Sequence, residues 1–119
     1  MISNSPQESV PSPLVSVILP TFNRKNLLPR SIKSVLEQSF RDLELLVVDD
    51  GSSDGTSRFV RSIEDARVRY LRQANKGVSS ARNLGISQSK GTYLALLDSD
   101  DEWMPSKLEN QIEALESNP

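Results

Sequence analysis

The sequence predicts an α/β protein: a mostly parallel sheet of about four strands with helices on both faces. Two observations carry this. Short aliphatic runs alternate four times with segments of helical periodicity. The runs Leu45-Leu46-Val47-Val48 and Leu94-Ala95-Leu96-Leu97 are apolar at consecutive positions, as strands covered on both sides must be. With 119 residues, there is room for one modest core.

The elements follow in order. Met1 to Pro13 is Ser/Pro-rich and almost free of apolar residues, and is expected to be a disordered tail. It lacks the basic and apolar regions of a secretory signal. Val15 to Leu19 is β-branched and predicts a buried strand stopped by Pro20. Leu28, Ile32, Val35 and Leu36 share one helical face, in a helix ending near Gln38-Ser39. Leu43 to Val48 is the second strand. Ser53 or Asp54 can cap the next helix, whose apolar face is Phe59, Val60 and Ile63. Val68 to Leu71 is a short third strand. Gly77 to Gln88 predicts a helix in which Ala81, Leu84 and Gly85 allow close packing. Tyr93 to Leu97 is the fourth strand, and a final helix starts at Pro105 and buries Leu108, Ile112 and Leu115. Residues 14–119 thus read as one folded unit.

Composition removes whole classes of function. The net charge of -2 gives no electrostatic reason to expect nucleic acid or an anionic membrane as partner. No apolar run approaches the ~20 residues of a membrane span. Absence of cysteine and histidine excludes disulfides, thiolate sites and the Ser-His and Cys-His nucleophile pairs. Any metal must therefore be held by oxygen, which favours Mg2+ or Mn2+ over zinc.

Acidic residues gather where two strands end: Asp49-Asp50 after the second and Asp98-Ser99-Asp100-Asp101 after the fourth. Unpaired carboxylates there weaken a fold, but they suit a crevice that takes a cation and a polar ligand. Neither stretch is a calcium loop: Arg61 stands where the first would need a bidentate Glu, and Trp103 where the second would need Gly. The turn Pro20-Thr21-Phe22-Asn23-Arg24 carries neither a dinucleotide nor a P-loop signature, nor the acidic pair of a phosphoacceptor domain. A nucleotide-diphosphate site remains. Asp98 and Asp100, two apart, project to the same side of an extended backbone and can share a divalent ion. Asp49 and Asp50 can accept from a base N–H or ribose hydroxyls; for Asp49 an Asx-turn competes, with Asp54 as the helix cap. Arg82 is either a counter-charge for phosphate or a solvated helix charge. Trp103 is read as packing at the helix entrance rather than as a sugar-stacking platform.

Four segments, in this order and spacing, resemble the family 2 glycosyltransferases, inverting enzymes of Rossmann-like GT-A fold that use nucleotide-diphosphate sugars. They are Val15 to Arg24, Val47 to Thr56, Asn75 to Gly85 and Leu97 to Asp101. The resemblance covers about Leu14 to Leu115. It implies that Pro20, Thr21 and Asn23 line the nucleoside pocket and that Asp50 binds the base, usually uracil. Asp98 and Asp100 match the DXD motif that contacts ribose and metal, with Asp101 as the alternative metal carboxylate, and Arg82 falls near the diphosphate. The family's catalytic base lies beyond the DXD region, here beyond Pro119, so no residue is assigned that role; Glu102 and Glu109 read as helix-surface carboxylates.

The expectation is therefore the N-terminal, nucleotide-sugar-binding portion of a metal-dependent inverting glycosyltransferase. It would transfer sugar from a donor, UDP-linked by resemblance, to a hydroxyl of a glycan, lipid or other acceptor, as in polysaccharide biosynthesis. Alone this portion should transfer poorly or not at all. The expected site is cytoplasmic, with the full-length protein associated with the inner face of the membrane. Two alternatives stand beside it: a non-catalytic nucleotide-binding module, and a truncated fragment that self-associates through an exposed sheet edge.

Overall fold

A computed structural model describes residues 12–117, so the expected tail lies outside the described residues except for Ser12 and Pro13. The element order is β1 (Val15–Thr21), α1 (Leu28–Leu36), β2 (Leu43–Asp49), α2 (Thr56–Arg61), β3 (Val68–Arg72), α3 (Val78–Gln88), β4 (Tyr93–Leu96) and α4 (Lys107–Ser117). The strands form one parallel sheet in the order β3-β2-β1-β4. This is the α/β architecture that the alternating pattern predicts.

The pleat sorts the strand residues into two cores. Val15, Val17 and Leu19 of β1, with Leu43, Leu45 and Val47 of β2, pack with Leu28, Ile32 and Val35 of α1, Val60 of α2, and Leu108 and Ile112 of α4. Ile18, Leu46 and Val48 face the other way and are covered by Ala81 and, in part, Leu84 of α3. The close approach of α3 requires Gly85: a Cβ there would lie 2.7 Å from Ile18 Cγ2. Three helices thus cover one face and one covers the other. The chain winds outward from β1 through β2 to β3, then crosses by α3 to the far side of β1. That reversal places a topological switch point between β1 and β4.

Several boundaries differ from expectation for identifiable reasons. Pro20 does not stop β1, which continues to Thr21. The carbonyl of Ile18 accepts from Leu97 N on the β4 side, and that of Thr21 accepts from Asp50 N on the β2 side. Pro20 therefore faces the β4 side, just past the end of that strand, where no ladder partner needs its missing N–H. The helix α1 ends at Leu36, and Gln38 is instead a buried staple that accepts from Leu108 N and donates to the carbonyls of Ser34 and Met104. The residue preceding α2 is Gly55 in the left-handed region, while Asp54 accepts from the Thr56 amide at 3.1 Å; Ser53 does not cap. Strand β4 stops one residue early, α4 starts at Lys107 rather than Pro105, and Leu115 is half exposed rather than buried.

Candidate functional site

At the switch point the carboxyl ends of β1, β2 and β4 and the start of α3 enclose a cleft of about 320 Å³. Pro20, Thr21, Phe22 and Arg24 line it from β1 and its following loop, Asp50 from β2, Val78 and Ala81 from α3, and Asp98, Ser99 and Asp100 from the β4 side. The volume is at the lower end of small-ligand sites, which begin near ~300 Å³. Phe22 and Ser99 add what a charge-focused reading overlooks. Phe22 and Val78 are large apolar side chains left substantially exposed on its walls. Thr21 is buried, and its Oγ1 has no hydrogen-bond partner among the described residues. A buried hydroxyl without a partner is costly unless something completes it.

Asp49 and Asp50 are adjacent in sequence and opposite in placement. Asp50 enters the cleft, where its Oδ1 accepts from Gln73 Nε2 at 2.7 Å and Lys76 N at 2.8 Å, and its Oδ2 accepts from Gly77 N at 3.0 Å. These donors, the Lys76 amide foremost, hold its carboxyl below the usual carboxylate range. One acceptor position of Oδ2 is left for a ligand, since a carboxylate offers about four. Asp49 points to the other face and is fully buried. Its Oδ1 accepts from Ser52 N at 2.8 Å and its Oδ2 from Tyr70 Oη at 2.6 Å and Arg72 Nη1 at 3.2 Å. Asp49 is absent from the cleft lining, and its carboxylate instead holds the backbone of the turn after β2 through Ser52 N.

Asn23 likewise acts through the backbone. At φ 50° it donates its N–H to Ser52 Oγ and accepts from Ser53 N, each at 2.8 Å, tying the loop after β1 to the loop after β2. It does not line the cleft.

The acidic cluster is built by a turn and not by an extended strand. Asp101 N donates to Asp98 O at 3.0 Å, folding residues 98–101 back on themselves. One carboxylate oxygen from each of Asp98, Asp100 and Asp101 lies within 4.8 Å of the others, all three exposed. Helix α1 holds this turn from below: Ser31 Oγ donates to Ser99 O at 3.1 Å and contacts Asp101 O, and Arg30 donates to Asp100 O at 3.1 Å. The cluster is partly neutralised by arginine. Arg82 meets Asp98 at 2.9 Å and Arg24 meets Asp100 at 3.2 Å. An all-oxygen donor set on an exposed turn fits a hard divalent ion, which would replace those guanidiniums. Arg82 is thus at the cluster's edge, with its Nε unpartnered among the described residues. Glu102 pairs with Arg30 at 3.6 Å and Glu109 accepts from Ser39 Oγ at 3.0 Å, both surface contacts. Trp103 packs against the larger core, with Lys107 5.6 Å over its ring.

A parallel sheet with a cleft at its switch point, flanked by an acidic turn and the Asp50 carboxylate, has the form of a GT-A-type fold. The chain belongs to glycosyl transferase family 2, whose profile matches residues 16–119. It is 42% identical over 106 residues to the Escherichia coli enzyme WfgD, named UDP-Glc:alpha-D-GlcNAc-diphosphoundecaprenol beta-1,3-glucosyltransferase; the match covers 88% of this chain and 42% of that one. An uncharacterized glycosyltransferase of Rickettsia bellii is 45% identical over 87% of this chain and 15% of its own length. Among solved structures, S. aureus TarS in complex with UDP-GlcNAc superposes with a TM-score of 0.82 at 27% identity, covering 87% of this chain and 31% of that chain. The mannosyltransferase PcManGT of Pyrobaculum calidifontis, in complex with GDP-Man and Mn2+, gives 0.78 at 27% identity over 89% and 33%. This chain therefore spans less than half the length of these relatives.

Proposed function

We propose that this chain is the donor-binding part of an inverting glycosyltransferase of hexosyltransferase type, taking a nucleotide-diphosphate sugar with a uridine base. The observation that carries this is the cleft itself: a buried, unpartnered Thr21 hydroxyl and a pre-oriented Asp50 carboxylate open between Phe22 and Val78. Those two apolar side chains suit the faces of a base, and Asp50 presents its remaining acceptor to a base N–H. Pro20 and Thr21 line the cleft, Asn23 ties the loop after β1 to the loop after β2, and Arg24 and Arg82, beside the acidic turn, would meet phosphate charge. Relatives named for UDP-glucose and bound to UDP-GlcNAc support the uridine assignment; the GDP-Man complex marks guanosine as the competitor.

Asp98, Asp100 and Asp101 would hold Mn2+ or Mg2+. Such an ion, when bound, stabilises the charge on a departing nucleoside diphosphate. The chain's own residues bind and orient the donor, while a carboxylate base elsewhere in the whole protein would deprotonate the acceptor hydroxyl. The acceptor is a hydroxyl of a glycan or lipid in cell-surface polysaccharide synthesis, reached from the cytoplasmic side of the membrane; the relatives' names, which include a diphosphoundecaprenol acceptor and teichuronic acid biosynthesis, support the polysaccharide setting. Among the described residues no helix is long and apolar enough to cross a membrane.

Titration calorimetry with UDP and GDP, with and without Mn2+, tests the reading. UDP should bind more tightly than GDP, and Mn2+ should strengthen binding in the parent chain but not in Asp98→Ala/Asp100→Ala. Equal binding with and without the ion in both proteins would remove the metal assignment. A second reading, self-association, has its own observation: Leu94 and Leu96 of edge strand β4 are about half exposed on the part of the α3-side face that α3 does not reach.

A further inference from the structure

We propose that Tyr70 and Arg72 of β3, acting through the buried carboxylate of Asp49, form a clamp that fixes the turn after β2 in its binding geometry. Arg72 is then a positioning residue for the nucleotide cleft and never touches the ligand. This rests on the reading of the cleft as a nucleotide site.

The geometry is a closed ring across two strands. Arg72 uses both arms of its guanidinium: Nη1 donates to Asp49 Oδ2 at 3.2 Å and Nη2 donates to Ser52 O at 3.1 Å. Asp49 returns to the same residue by accepting from Ser52 N at 2.8 Å. Both the N–H and the C=O of Ser52 are therefore gripped from one side. Tyr70 Oη completes the carboxylate at 2.6 Å, and Arg61 stacks 5.1 Å over the Tyr70 ring. Asp49 is wholly buried and paired with Arg72, a costly choice for a turn that an uncharged residue could also make. The arrangement is explained if the position of Ser52 matters, because Ser52 Oγ accepts from Asn23 N and so sets the loop after β1. Asp50, the cleft-facing carboxylate, and Gly51 at φ +88° are the two residues between the gripped points. A bridging role of this kind demands a planar fork, which a lysine cannot supply.

The test compares the parent chain with Arg72→Lys, Arg72→Met and Tyr70→Phe, using amide hydrogen exchange, thermal unfolding and calorimetry with UDP. Arg72→Met should speed exchange at Ser52 by about tenfold or more while leaving the β1 amides unchanged, since one charge-assisted contact is lost locally. UDP affinity should fall by about tenfold in step. Arg72→Lys should recover most of the thermal stability through its charge but little of the affinity, a split that a purely structural ion pair would not produce. Tyr70→Phe should show a smaller loss in the same direction. Unchanged Ser52 exchange in Arg72→Met overturns the clamp, as does parent-like UDP affinity in both Arg72 variants. If the parent itself binds no UDP, the reading of the cleft fails, and the Ser52 exchange arm alone still decides the clamp.

Discussion

Replacing Asp50 by Asn keeps the side chain's shape and inverts one of its two arms. In the native protein one oxygen accepts from Gln73 and Lys76 and the other from the Gly77 amide, at the N-terminus of α3. The amide oxygen of Asn can keep the first two contacts without charge. Its NH2 must then face the Gly77 N–H, donor against donor, in a site only 5% exposed. Losing one charge-assisted hydrogen bond and weakening two costs about 1.5–3 kcal/mol. Losing a negative charge beside the positive end of α3 adds about 0.3–1 kcal/mol. The sum, about 2–4 kcal/mol, is a large part of the ~5–15 kcal/mol typical of a domain. Urea unfolding followed by circular dichroism should show a midpoint lower by about 1–3 M, given slopes of ~1–3 kcal/mol/M. UDP binding should weaken further than stability alone requires, because the amide also presents a donor to the ligand. A midpoint and a UDP affinity both equal to the parent's would refute the reasoning.

Further outcomes can be checked alongside it. Asp50 and Asp65 have carboxyls held below their ordinary range, by the Lys76 amide and by Arg67 respectively. For Glu44 burial pushes upward, but Ser16, the Lys90 amide and Arg69 together outweigh it; for Asp54 Thr56 and the Lys25 amide do the same. Each folded value is below its unfolded one, so this stability is present above about pH 4 and lost as pH falls through the folded values; urea midpoints should be flat above about pH 5 and drop steeply below about pH 4. Gly91→Ala would place a Cβ 2.6 Å from the backbone N of Ser16, against atoms that cannot rotate away, and should cost about 1–3 kcal/mol, read from thermal unfolding. Leu94→Glu/Leu96→Glu should abolish any concentration-dependent dimer in sedimentation velocity while leaving UDP binding intact; a dimer that persists removes β4 as the associating surface.

Much of the architecture is legible in the chain because it depends on local period and on residue size. Consecutive aliphatics in β1 and β2 can only be satisfied between two helical layers, and small residues in α3 announce a close approach to the sheet. The acidic cluster was also legible, although the extended backbone inferred for Asp98 and Asp100 was the wrong device: the turn closed by Asp101 N and Asp98 O gathers the carboxylates. The arginines that neutralise them come from the loop after β1 and from α3, too far along the chain for any spacing rule to pair them.

Asp49 and Asp50 mark the boundary between the two kinds of information. By itself the sequence determined that two carboxylates end β2 and that the pleat must send them to opposite faces. Only the tertiary structure decided which face became the cleft, because that depends on the side to which α3 crosses on its way from β3 to β4. The same crossing brought Lys76 and Gly77 to Asp50, while the pairing of β3 with β2 brought Tyr70 and Arg72 to Asp49. Strand period is a property of neighbouring residues, whereas the partner of a buried charge is set by chain topology.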